Sequence, residues 1–168
     1  MSETDTGTAT RAGFAAVIGA PNAGKSTLVN RLAGAKVSIV TPKVQTTRFN
    51  VRGVVMAQPA QIILVDTPGI FKPRRRLDRS MVRAAWGGAE DADVIVHLVD
   101  AEAEVAVIEG TGGGAERLGV QDAASITQGL NGAGHKAILV LNKIDKVRRE
   151  KLLALSEPLW AETMKTSL

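Results

Sequence analysis

No cysteine occurs in the 168 residues, which excludes disulfides, thiol chemistry and cysteine-ligated metal centres. Tyrosine is absent as well, and aromatic residues make up only 3% of the chain, too few for a platform on which successive nucleic-acid bases stack. No apolar run nears the ~18 residues of a membrane span, and no secretory signal opens the chain. The expected location is therefore cytoplasmic, with any membrane contact peripheral. His97 lies inside an apolar run and His135 just before another. Neither has a metal-binding partner nearby in sequence, so both are expected to be structural, and Trp86 and Trp160 are likewise assigned to packing.

What is present points to a single α/β domain. Hydrophobic residues make up 45% of the chain, enough to build a core of its own. Met1 to Thr10, small and polar with repeated threonines, is expected to be a disordered tail. Apolar runs predict strands at Phe14 to Ile18, Val51 to Met56, Gln61 to Val65, Asp93 to Asp100 and Lys136 to Leu141, the second and third of these forming a hairpin across Ala57 to Ala60. Helices are expected from Lys25 to Ala33 and from about Leu77 to Gly87. Strands alternating with helices imply a mostly parallel sheet covered on both faces, with ligands at the carboxyl ends of its strands. The glycine-rich stretch Ala101 to Gly134 is read as an extended loop with a short helix near Val120 to Leu130, and Gly112-Gly113-Gly114 as a flexible linker.

Chemistry enters at Gly19-Ala20-Pro21-Asn22-Ala23-Gly24-Lys25-Ser26, a complete G-x-x-x-x-G-K-S phosphate loop between a predicted strand and a predicted helix. In such a loop the backbone N–H groups converge on the α and β phosphates, lysine reaches the β and γ phosphates, and the serine hydroxyl binds Mg²⁺. The expected nucleotide contacts are thus Asn22, Ala23, Gly24, Lys25, Ser26 and Thr27, with Ser26 as a metal ligand.

The base is specified later, by Asn142-Lys143-Ile144-Asp145 directly after the apolar run Ala137 to Leu141. A carboxylate at Asp145 can accept hydrogen bonds from N1–H and the 2-amino group of guanine, neither of which adenine offers. Asn142 is expected at the N7 edge and on the phosphate loop, and the Lys143 stem along the base plane. Alone this tetrapeptide is an ordinary turn; behind a phosphate loop it reads guanine. Between the two lies Asp66-Thr67-Pro68-Gly69, again after an apolar run. Asp66 falls where a carboxylate would hold Mg²⁺ through water, and Gly69 where a backbone N–H would meet the γ phosphate. In this order the three motifs make a GTP/GDP switch.

Thr41-Pro42-Lys43-Val44-Gln45-Thr46-Thr47-Arg48 then resembles the first switch of the Era GTPases of the alphaproteobacterial type. The likeness runs from Gly13 to about Leu155 and is weakest over Glu102 to Gly134. It implies a Ras-like G domain, a P-loop NTPase fold, with Thr47 as a second Mg²⁺ ligand and Lys25, Thr47 and Gly69 as the catalytic set. It further implies action on the small ribosomal subunit through its ribosomal RNA, with no DNA partner and with peripheral contact at the inner membrane. Two departures from the Ras-like pattern bear on rate. Ile70 stands where those enzymes carry the water-orienting glutamine, so hydrolysis is expected to be slow. Asn22 matches the asparagine with which similar GTPases hold K⁺, though it also suits a turn after Pro21.

The basic residues Lys72, Arg74, Arg75, Arg76, Arg79 and Arg83 cluster in and after the second switch. They predict phosphate-directed, salt-sensitive RNA contact, against the plainer reading of a solvated basic loop and helix. Relatives in this family continue into a Ser-Ala guanine loop, a last strand and helix, and a KH RNA-binding domain. None is recognisable here, so residues 11–168 are expected to be a G domain lacking those parts. The alternative function is a guanine-nucleotide-binding module without turnover.

Overall fold

The computed structural model describes residues 11–36, 51–57, 59–67, 86–87, 89 and 91–163. The chain runs β1 (Arg11–Gly19), α1 (Lys25–Lys36), β2 (Val51–Ala57), β3 (Ala60–Asp66), β4 (Val94–Asp100), α2 (Ala101–Ile108), α3 (Gly114–Gly132), β5 (Ala137–Asn142), a 3-10 turn (Ile144–Lys146) and α4 (Arg149–Thr163). Among the described residues the sheet has 5 strands in the order β2-β3-β1-β4-β5. Only the β2–β3 hairpin is antiparallel; β1 pairs in parallel with β3 and β4, and β4 with β5.

The parallel strands read as continuous apolar runs because both of their faces are covered. Along β1 the side chains alternate between two cores. Ala15 and Val17 join Leu64, Leu98 and Val29 of α1 on one face, while Ala16 and Ile18 join Ile95, Ile126 and Leu130 on the α3 face. Gly19 ends β1 where no side chain fits, since a Cβ there would lie 2.5 Å from the carbonyl oxygen of Leu98.

The helix expected near Val120 to Leu130 is present within the longer α3, but the rest of the stretch from 101 to 134 is not an extended loop: it folds as two helices, α2 and α3, joined by a tight turn. Asp100 caps α2, its carboxylate accepting from Ala103 N–H at 3.2 Å. The helix stops in a Schellman motif, with Gly110 at φ +72° and the N–H groups of Gly110 and Thr111 on the carbonyls of Val107 and Ala106. Gly112 is no flexible linker either. It is buried against α2, where a Cβ would meet the Val107 methyl at 3.0 Å. Glycine inside a helix costs about 1 kcal/mol, yet α3 tolerates its own because Ile126 and Leu130, spaced for one face, are fully buried. Gly129 leaves room there for the ring of Trp86.

Residues 86, 87 and 89 are helical; the rest of the helix expected from Leu77 lies outside the described residues, as do the tail at 1–10 and the basic cluster. His97 is fully buried in β4, in register with Ile18 and Leu139. Burial lowers its pKa to about 4, so it is neutral at physiological pH. No helix among the described residues is long and apolar enough to cross a membrane.

Candidate functional site

Parallel pairing brings the carboxyl ends of β1, β3, β4 and β5 to one edge, and there stand Gly19, Asp66, Asp100 and Asn142. Between β1 and α1 the chain turns back sharply. Asn22 takes φ +63° and Gly24 φ +96°, left-handed values that suit asparagine and glycine. Leu28 N–H bonds the carbonyl of Gly24 at 2.9 Å and so begins the helical ladder. The N–H groups ahead of it form the positive end of α1, a natural seat for phosphate. No acidic side chain occupies the first turn of α1 to compete with an anion. Lys25 is buried at 7% exposure, and its ammonium donates to the carbonyls of Gly19 at 3.1 Å and Ala20 at 2.8 Å. The cation is thereby fixed over the loop.

The base motif docks on this loop directly. The amide of Asn142 donates to the carbonyl of Ala23 at 2.8 Å, across 119 residues of sequence. Glycine at 24 is what permits the approach, because a Cβ there would fall on the Asn142 amide nitrogen. Lys143 adopts φ +57° and ψ +32°, turning the chain so that Asp145 emerges exposed in the 3-10 turn. The Lys143 ammonium pairs with Asp100. Lys146 pairs with Glu102 at 3.0 Å, and the hydrogen bond to that carboxylate, then its charge, raises the Lys146 pKa.

Phosphate loop and base motif are therefore adjacent, and Asp66 ends β3 in register with Val17 at the same edge. Its neighbour Thr67 is buried and donates its hydroxyl to the Val17 carbonyl at 2.7 Å, tying the β3 exit to β1. Thr47, Gly69 and Ile70 lie outside the described residues. Among the described residues no group of three or more His, Cys, Asp or Glu could hold a metal ion. Mg²⁺ in a nucleotide site needs no such cluster, since one or two protein oxygens and the substrate phosphates supply its ligands.

Two residues of this neighbourhood, Asp100 and Thr67, carry roles that sequence reasoning missed. A signal for Asp100 was available: an Asp followed by Glu102 and Glu104 is a helix-start pattern. No signal existed for Thr67, whose partner is 50 residues away.

A family model described as "50S ribosome-binding GTPase" matches residues 14–143. The chain is 62% identical over 154 residues to the GTPase Era of Caulobacter vibrioides, covering 92% of this chain and 49% of that relative. Against the GTPase Era of Maricaulis maris the identity is 58%, over 89% of this chain and 48% of the relative. The chain spans about half the length of the curated relatives it matches. Among solved structures it is similar to a variant of Aquifex aeolicus Era bound to GDP.AlF4-, with a TM-score of 0.61 and 38% identity over 94% of this chain and 48% of that one. It is also similar to an Era in complex with MgGDPNP and nucleotides 1506-1542 of 16S ribosomal RNA, with a TM-score of 0.62 and 39% identity over 95% of this chain and 48% of that one.

Proposed function

Because the chain belongs to the Era GTPase family, we propose that it is a guanine-nucleotide switch that binds GTP and GDP with Mg²⁺ and hydrolyses GTP slowly to GDP and phosphate. The observation that carries this reading is the Asn142 amide on the Ala23 carbonyl, which locks a guanine-reading motif to a phosphate loop. One ligand can then span both. In the proposed complex Lys25 leaves the loop carbonyls for the β and γ phosphates, and the loop N–H groups around Ala23, Gly24 and Thr27 hold the α and β phosphates. Asp145 accepts from the guanine edge, and the Lys143 stem underlies the ring. Gly69 would offer its N–H to the γ phosphate. Ser26, Thr47 and, through water, Asp66 are the residues that would hold Mg²⁺, which would supply charge neutralisation to the phosphates. Asn22, which stands in the same loop with a left-handed backbone, is our candidate for a K⁺ ligand.

The partner class we assign is small-subunit ribosomal RNA, by way of the family and in a longer protein that includes RNA-binding parts beyond this G domain. We favour it over the large-subunit wording of the broader family description because the Era structure with 16S ribosomal RNA matches 95% of this chain. A cytoplasmic location with peripheral contact at the inner membrane completes the reading.

Titration of the chain with a fluorescent GDP analogue in Mg²⁺ and K⁺, followed by competition, tests the assignment. GTP is expected to displace the analogue and ATP to fail. Displacement by both would refute the guanine site. Phosphate release should then be measurable and should drop severalfold when NaCl replaces KCl; unchanged turnover removes Asn22 from a K⁺ role. Binding without any phosphate release would leave a nucleotide-binding module in place of an enzyme.

Asp145→Asn is expected to weaken GTP binding at least ~100-fold, since it removes a charged acceptor facing two donors. The same change favours xanthosine triphosphate, whose 2-oxygen can accept from the new amide. Equal loss of both nucleotides would contradict the role of Asp145.

A further inference from the structure

We infer that Asp100 is a positioning residue for base recognition, acting through Lys143 without touching the nucleotide. The inference rests on the guanine-site reading above. The register of β4 with β5 sets Asp100 opposite Asn142, so the carboxylate emerges beside the base motif. Its two oxygens have different tasks. Oδ1 accepts from Ala103 N–H at 3.2 Å and caps α2, which fixes the side chain's orientation, and Oδ2 accepts from the Lys143 ammonium. With the head of Lys143 anchored and its backbone turned by φ +57°, the aliphatic stem is left with little rotamer freedom. A free lysine would surrender side-chain entropy when a base settled on it. Asp100 makes that ordering before the ligand arrives.

The pair is not an ordinary surface ion pair. The side chains of Lys143 and Asp100 are 30% and 20% exposed, whereas those of Lys146 and Glu102, which also join the first turn of α2 to the base loop, are 53% and 43% exposed. Screening by water and salt weakens the second pair far more than the first. The Asp100–Lys143 pair also lines a cavity of about 140 Å³ together with Pro21 and Asn22 of the phosphate loop. Lys143, itself part of the base motif, thus shares a cavity with the phosphate loop.

The test is the dissociation rate of a fluorescent GDP analogue from the wild-type chain, Asp100→Asn, Lys143→Ala and the double variant. Asparagine is as good an N-cap as aspartate, so α2 and the melting temperature should be preserved while the charged anchor is lost. Dissociation from Asp100→Asn is expected to be about tenfold faster, as loss of a charge-assisted hydrogen bond would give. In the Lys143→Ala background the same change should add less than about twofold, because the residue it acts through is gone. Glu102→Gln should stay within about twofold of wild type. An unchanged rate in Asp100→Asn, or an equal acceleration in both backgrounds, would overturn the inference and leave the guanine site standing. A wild-type chain that holds no fluorescent GDP would refute the guanine site itself, and the inference with it.

Discussion

Gly24→Ala is expected to weaken nucleotide binding severely, lowering affinity for GDP roughly 30- to 5000-fold while leaving the sheet folded. Two costs combine at this residue. The backbone sits at φ +96°, where a Cβ strains against its own carbonyl by roughly 1–2 kcal/mol. The added methyl would also fall on the Asn142 amide nitrogen, which must then leave the Ala23 carbonyl. Losing this part-buried hydrogen bond costs a further 1–3 kcal/mol, roughly, on the base-reading side. One methyl therefore damages the phosphate loop and the base motif together, and coupling of the two halves is what sets the effect above that of a simple loop mutation. Calorimetry with GDP checks the affinity and circular dichroism the fold. Binding within about tenfold of wild type would mean that the contact between the two motifs is dispensable.

Acid is expected to destabilise the domain through His97, and the size is set by burial. The imidazole is fully buried on β4, and neither ring nitrogen has a hydrogen-bond partner among the described residues. Its pKa in the folded state is lowered from 6.5 to about 4. The unfolded chain therefore binds a proton over a pH range in which the folded chain does not. Stability from this group is complete above pH 6.5, declines as the pH falls below that value, and is fully lost below about 4. The total amounts to about 3 kcal/mol, of which about 2 kcal/mol is gone by about pH 5. His97→Leu should abolish this component. It should also be at least as stable as wild type near neutrality, because two unpaired buried nitrogens are replaced by apolar atoms of similar volume. Urea denaturation of both chains at about pH 7.5 and about pH 5 decides the matter. If the two lose stability in parallel on acidification, His97 is not the group responsible.

Much of the fold was legible because its signals are local. Five apolar runs of strand length, a phosphate loop and an Asn-Lys-x-Asp turn sit within short windows of sequence, and each strand was found to within three residues at its ends. From 101 to 134 the helix near Val120 to Leu130 was found, and the miss over the rest of that stretch has a specific cause. Its glycines argue for a loop when each is given equal weight, yet Gly110 serves a helix stop, Gly112 a close approach to α2 and Gly129 the space for Trp86. Their meaning depends on neighbours that packing supplies. The Asp100 cap was the local clue that could have divided this stretch into two helices.

The proposed class of ligand was legible in the chain alone, because phosphate and guanine are recognised by residue types at fixed short spacings, and Gly24-Lys25-Ser26 and Asn142 to Asp145 match those spacings. How the two are joined emerges only on folding. The Asn142 amide on Ala23, the Thr67 hydroxyl on Val17 and the Asp100 carboxylate on Lys143 all connect residues far apart in the chain. Such contacts exist only once parallel pairing has brought the carboxyl ends of the strands to one edge. A spacing in sequence can specify a turn or a helix face, whereas a hydrogen bond across the sheet depends on register, and register is set by the packing of both cores at once.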